Sequence, residues 1–327
     1  MARINDVFHS DIFIMPDKKV FVPDPRTENG LQILEPEDFA DFYDLLEKTY
    51  RGKSSYTMIY EGFFFRVERT NSMYGPMYCM RKMPKKVPDL MSLGYPPALI
   101  NYLAGLGNAS GLILLGGATG SGKTTTISSL LKEYLIRNGG FAYTIEDPFE
   151  MPLDGEYKSM NGSMGLCKQT QPVDDNWGAS LRSALRSRPR FILVGEIRTP
   201  DAASEVLRAA TSGHLVLSTI HANNVTDALD AMVKHATAGE MSEELGFDLL
   251  SRGILGVIHQ TLVGIGQKRP VVQYLFANPN TTIGDQTRNI IKTGKLNLAT
   301  TIEMQMTRMM QNRPLFEIGD NSRLSKQ

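Results

Sequence analysis

One stretch, "GLILLGGATGSGKTTT" at residues 111–126, constrains the fold more than any other. A near-continuous apolar run enters G-x-x-x-x-G-K-[ST], with Gly117, Gly122, Lys123 and Thr124 at its fixed positions, and a helical stretch follows over 124–137. A strand buried on both faces before such a loop needs a sheet around it, so an α/β core is predicted. Gly117, Gly120 and Gly122 let backbone N–H groups turn inward around phosphate oxygens, and the helix N-terminus favours the anion. Lys123 would neutralise β/γ-phosphate charge and Thr124 would hold Mg²⁺, with Thr119, Ser121 and Thr125 completing the contacts. The expected ligands are ATP and Mg²⁺.

Further apolar runs, "FAYTIED", "RFILVGE" and "GHLVLST", alternate with helical stretches over 177–186 and 201–211. Short buried strands between helices predict a parallel sheet. From Met241 the chain reads as helical ("SEELGFDLLSRGILGVIHQTL", then "NLATTIEMQMTRMMQ"), with "RPVVQYLFA" as a strand between. The first part of the chain has another texture. "DIFIMPDKKVFV" and "YTMIYEGFFFRVER" are strand-like, and "PEDFADFYDLLEKTY" carries Phe39, Phe42, Leu45 and Leu46 at helical spacing. The expected organisation is therefore an N-terminal α+β domain over 1–82, a proline-rich linker over 83–98, the nucleotide domain with a helical C-terminal part over 99–312, and a flexible tail over 313–327.

In a parallel sheet ligands lie beyond the carboxyl ends of the strands, so Glu196, ending "RFILVGE", should share the crevice of Lys123. A carboxylate there can hold a metal-bound water or orient the attacking one. Glu146, with Asp147, ends "TIED" in the same way. Thr199, Pro200 and Asp201 read as the N-cap and first turn of the next helix. "TSGHLVLSTIHANN" sets His214 and His221 at opposite ends of a short strand, roughly 20 Å apart at ~3.3 Å per residue. They cannot share one metal ion. His221 should reach a γ-phosphate or Glu196, whereas His214 enters at the far end, where a subunit contact would account for it.

Charge and cysteine content remove other classes. Lys+Arg and Asp+Glu both number 35, so no net charge draws the chain toward nucleic acid or acidic lipid. The 2 cysteines, Cys79 and Cys167, make neither a disulfide framework nor a four-thiolate zinc site. No signal peptide opens the chain and no apolar run approaches the ~20 residues of a membrane span, so a cytoplasmic protein without an integral membrane segment is expected. A RecA-like nucleic-acid translocase is the alternative reading. It should carry basic or aromatic channel loops, and "KQTQPVDDN", a pore-side loop by its position, sets one lysine against two aspartates.

"GGATGSGKTTT", "TIEDPFE", "LRSALRSRPRFILVGEIR" and "TSGHLVLSTIHANN", in this order and spacing, resemble the signatures of the type II/type IV secretion and type IV pilus ATPases: phosphate loop, acidic box, Walker B strand and histidine box. The resemblance runs from about Phe65 to Gln260. It implies a homohexameric ring motor that hydrolyses ATP, with a PAS-like N-terminal domain joined to a RecA-like core. It also implies function for His221 and for His214 at the nucleotide, and metal contacts for Thr124, Glu146 and Glu196. Within the family, the chain is most similar to pilus retraction ATPases and to those of Dot/Icm-like secretion and I-type conjugation. "SDIFI" resembles their opening strand, and "FRVERTNSMYGPMYCMRKMP" their arginine-bearing segment, which makes Arg66 and Arg81 candidate arginine fingers. Tyr74 stands where retraction ATPases often carry a further arginine. The tetracysteine of the extension branch is absent and the N-terminal region is short for that branch. The implied setting is peripheral at the inner membrane, through platform or secretion-complex proteins, with no direct nucleic-acid partner.

Overall fold

The structure is a computed structural model that describes residues 3–6, 11–27, 30–264, 268–280 and 285–316. Ser10 of the "SDIFI" segment and residues 317–327 of the expected tail lie outside the described residues. The chain divides into two compact units, the first comprising Met1–Lys86 with Pro148–Pro152, the second Val87–Asp147 with Leu153–Gln327.

The first unit is an antiparallel sheet of β1 (Asp11–Ile14), β2 (Val20–Pro23), β3 (Leu31–Leu34), β4 (Ser55–Tyr60), β5 (Phe63–Ser72) and β6 (Gly75–Lys82), in the order β3-β2-β1-β6-β5-β4. Helix α1 (Phe39–Thr49) packs Phe42 and Leu46 on the face that carries Ile12, Ile14, Met58, Phe65, Val67 and Tyr78. Because successive side chains alternate between faces, the same strands turn Arg66 and Arg81 to the other side. Glu61 and Gly62 both adopt positive φ between β4 and β5, the backbone that a tight hairpin turn with matching twist requires.

The second unit is the α/β core. Its elements are α2 (Pro97–Gly105), β7 (Gly111–Gly116), α3 (Lys123–Asn138), β8 (Gly140–Ile145), β9 (Gly155–Lys158), β10 (Met164–Thr170), α4 (Trp177–Leu185), β11 (Phe191–Val194), α5 (Pro200–Ala210), β12 (Leu215–Ile220), α6 (Val225–Thr237), α7 (Glu243–Gly253), β13 (Ile254–Val263), β14 (Arg269–Phe276), α8 (Gln286–Lys292) and α9 (Ala299–Met310). The sheet order is β14-β13-β7-β12-β11-β8-β10-β9. From β13 to β10 neighbouring strands run parallel, and β14 and β9 add antiparallel edges. Strands β7, β11 and β12 are buried at every residue, as a sheet covered on both faces demands. Thr199 caps α5 by accepting from Ala202 N, and Pro200 occupies the first turn.

Three expectations change. Residues 254–263, read as a continuing helix, form β13. The break falls at Gly253, and the β-branched Ile254, Val257 and Ile258 pair in parallel with β7; their buried run satisfies a two-faced strand as well as a helix. The segment expected as a linker is shorter. From Val87 it belongs to the second unit, with Val87, Leu90 and Tyr95 buried and Lys132 Nζ donating to Val87 O (2.9 Å) and Asp89 Oδ1 (2.7 Å). Residues 168–170 of "KQTQPVDDN" end strand β10 and are not loop.

Candidate active site

The second unit gathers its candidate residues, His214 excepted, at the carboxyl ends of the central strands. Register sets this. Ile220 pairs with Gly116, so His221 follows β12 where Gly117 follows β7. Val194 lies between Ile145 and Ser218, so Glu196 and Glu146 emerge side by side just beyond β11 and β8. Backbone bonds extend the order past the strands: Gly195 N donates to Ile145 O (2.9 Å), and Ile197 N to Thr219 O (2.9 Å).

In the phosphate loop Gly117, Gly120 and Gly122 have φ of 152°, 76° and 85°. Gly117 is required for space as well as for conformation, since a Cβ there would stand 2.5 Å from Gln260 O and 2.6 Å from Ser121 Oγ. Nothing lies within 4 Å of a Cβ built on Gly120, which leaves that part of the loop open. Lys123 opens α3, and its Nζ donates to Gly117 O (2.8 Å) and Ala118 O (2.9 Å), so its charge is held against the loop backbone. Ser121 Oγ is buried with no hydrogen-bond partner. Inward-turning backbone, an ammonium and an orphaned hydroxyl fit a polyphosphate. Thr124 and Thr125 follow in the first turn of α3.

Glu146 is 2% exposed. It accepts from Gln169 Nε2 at 2.9 Å and lies against Gly195, where a Cβ would meet its Cγ at 3.2 Å. Asp147 accepts from Gln171 Nε2. Glu196 is engaged on both oxygens: Arg198 binds Oε2, and His221 Nε2 stands 3.4 Å from Oε1. The same His221 nitrogen lies 3.1 Å from Thr119 Oγ1, so this imidazole bridges the phosphate loop and the Walker B carboxylate. Among the described residues no group of three or more His, Cys, Asp or Glu side chains could hold a metal ion alone. The Thr124 hydroxyl with one or two carboxylates suits Mg²⁺, which takes few protein oxygens and completes its shell with phosphates and water.

His214 is not brought to the phosphate loop within its own unit. It precedes β12 at the opposite end from His221, its O accepting from Gly111 N and its Nδ1 lying 2.7 Å from Pro189 O. The six residues of β12 separate the pair.

In the first unit Arg66 and Arg81 are direct cross-strand partners, on β5 and β6. Like charges placed opposite each other destabilise a sheet, and acids offset this pair: Asp11 Oδ1 lies 2.7 Å from Arg81 Nε, and Glu150 Oε1 3.6 Å from Arg66 Nη1. Tyr74, at the tip of the same hairpin, is 84% exposed.

Arg198, Tyr95, Thr126, His259 and Gln260 had no place in the sequence reading of the site. Arg198 follows Glu196 by two residues and was legible. Thr126 follows the loop directly in α3, whereas Tyr95, His259 and Gln260 reach it through pairings distant in sequence, His259 lying opposite Gly116.

A family model described as type II/IV secretion system protein matches residues 54–311. The type II secretion system protein E of Klebsiella pneumoniae is 35% identical over 203 residues, 61% of this chain and 37% of that protein. A twitching motility protein of Neisseria gonorrhoeae is 32% identical over 235 residues, 71% of this chain and 59% of its own length. The chain thus spans only 37–59% of these curated relatives. Among solved structures, the pilus retraction motor PilT with bound ADP aligns with TM-score 0.70 at 26% identity, covering 100% of this chain and 98% of that one. The Legionella pneumophila ATPase DotB aligns with TM-score 0.69 at 21% identity, covering 92% and 88%, and shows the same fold.

Proposed function

The chain belongs to the type II/IV secretion system protein family, and we propose that it is an ATP-hydrolysing hexameric motor for type IV pilus retraction or for a type IV secretion or conjugation machine. One observation carries the chemistry: Lys123, Glu146, Glu196 and His221 all follow the carboxyl ends of the central parallel strands, with His221 Nε2 between Thr119 and Glu196. The loop N–H groups and Lys123 bind the β- and γ-phosphates. Thr124 and Glu146 would hold Mg²⁺, with Glu196 on a metal-bound water, and the ion would neutralise charge on the transferring phosphoryl group. Glu196 orients the attacking water and accepts its proton, while His221 fixes Glu196 and senses the γ-phosphate. Arg66 and Arg81 complete the charge neutralisation as arginine fingers, from the same subunit or a neighbour, and His214 serves the subunit contact.

The structure matched over nearly its full length is a retraction motor, which supports the motor reading. No helix among the described residues is long and apolar enough to cross a membrane; the proposal places the motor at the inner membrane through platform or secretion-complex proteins. Two measurements test the proposal. Light scattering on the purified chain with ATP and Mg²⁺ should give a mass of six copies; a monomer under all nucleotide conditions would overturn the ring. Lys123→Ala in the source organism should abolish surface motility if the motor retracts pili, or protein or DNA transfer if it drives secretion. A strain unaffected in all three would overturn the motor.

A further inference from the structure

We propose that Gln260 is a positioning residue of the phosphate loop, holding it through the carbonyl of Ser121, with Tyr95 and Thr126 fixing its amide. Gln260 is 2% exposed and lies on β13 one residue past the His259–Gly116 pair. Its Nε2 donates to Ser121 O at 2.6 Å. A backbone carbonyl only accepts, so this contact settles which end of the amide faces the loop. Oε1 then accepts from Thr126 Oγ1 at 3.0 Å and from Tyr95 Oη. The Tyr95 and Thr126 oxygens are themselves 2.6 Å apart, so two hydroxyl protons are shared among the three contacts of a buried triangle. Burial pushes the Tyr95 hydroxyl well above its ordinary range, so it stays a donor.

The backbone geometry explains what this bond does. The peptide between Ser121 and Gly122 is planar and trans, so its C=O and N–H point in opposite directions. Drawing Ser121 O toward Gln260 aims Gly122 N–H the other way, into the concave side of the loop. The approach is close at both ends. A Cβ on Gly117 would meet Gln260 O at 2.5 Å, and one on Gly122 would meet Gln260 Nε2 at 2.9 Å. Two loop glycines therefore make room for this one residue. Gln260 itself acts through the loop, as a support that leaves the donors preset before nucleotide arrives.

The inference rests on the nucleotide reading and is tested with mant-ADP on the full chain, alongside ATPase kinetics. Gln260→Leu should weaken mant-ADP binding about 10-fold or more, the scale of a lost buried hydrogen bond with its partner left unpaired, and should raise KM for ATP more than it lowers kcat. Gln260→Glu separates positioning from packing. A protonated carboxyl donates to Ser121 O as the amide does, whereas an ionised one can only accept and meets that oxygen with repulsion. Affinity in this variant, taken as a ratio to the parent, should therefore fall as pH rises and recover at low pH. The titratable neighbours Tyr95, Lys123 and His259 are common to both proteins and cancel in the ratio. Tyr95→Phe, a milder change, should cost roughly 2- to 5-fold. Parent-like affinity in folded Gln260→Leu would overturn the proposal. So would a loss in Gln260→Glu that is the same at every pH. A parent chain that binds no mant-ADP would contradict the nucleotide reading itself, and this inference with it.

Discussion

In the C-terminal unit β7, β11 and β12 are buried on both faces, so no side chain along them is free for chemistry, and the polar residues gather where the strands end. In the N-terminal unit β1, β2, β4, β5 and β6 each bury one face in the core with α1 and leave the other more open, so charged residues stand along the strands, Arg66 opposite Arg81. The same pleat thus serves two designs. Strand ends converge several elements on one small volume, which suits binding and proton transfer. An open face presents a charged surface, which suits contact with something that arrives from outside. In the proposed function the strand ends bind the nucleotide, and the open face offers the charge of Arg66 and Arg81.

The largest effect expected is at Lys123. Lys123→Ala should reduce hydrolysis by ~1000-fold or more and weaken ATP binding, because the loop has no other cation. Near-normal turnover in the purified variant would remove the strand-end region from the mechanism. Next, Arg66→Ala and Arg81→Ala should each lower hydrolysis at least ~10-fold while leaving ADP affinity within about 2-fold. Loss of ADP binding would erase the division between the regions. Mixing an arginine variant with Lys123→Ala subunits sharpens it further: action across a subunit boundary returns part of the activity, about a quarter of parent for random mixing if each interface works alone, whereas action within one subunit leaves the mixture inactive.

The smallest effect concerns pH. Burial holds His259 below its ordinary 6.5, with Lys123 adding to the shift while Asp227 and a backbone bond to Ala222 oppose it. The unfolded chain then takes up the proton first, so the stabilisation is complete above about pH 6.5 and is lost as pH falls below it. Replacing His259 by Gln should remove this slope, changing the Tm difference between pH 7.5 and 5.5 by ~1–2 °C. An unchanged difference would show that the imidazole is solvated like a surface group.

What was legible in the chain follows the same division. Residues 111–126 fixed strand, loop and helix because each step has a local cause: a continuous apolar run, glycines at positive φ, and a helix begun at Lys123. Glu146 and Glu196 were legible because each directly ends an apolar run. Residues 254–263 were misread because their buried apolar run fits a helix as well as a strand, so the break at Ser251-Arg252-Gly253 was read through, and the strand character comes from pairing with β7, well over a hundred residues earlier. Gln260 had no local signature for the same reason, since a glutamine in an apolar strand is defined by what lies across from it. The opposition of Arg66 and Arg81 is likewise a matter of register, set by the hairpin that joins β5 to β6 and invisible to composition.

The account's central claim is that one cluster of strand ends binds the nucleotide and also activates water, with the second task resting on Glu196. Measuring ATP·Mg²⁺ affinity and phosphate release on the same preparation of Glu196→Gln tests it most directly. The amide keeps the shape and the contact with His221 but cannot accept a proton. Affinity should stay within about 3-fold of the parent while turnover falls at least ~100-fold. Loss of binding in parallel with turnover, or turnover close to the parent's, would contradict the assignment.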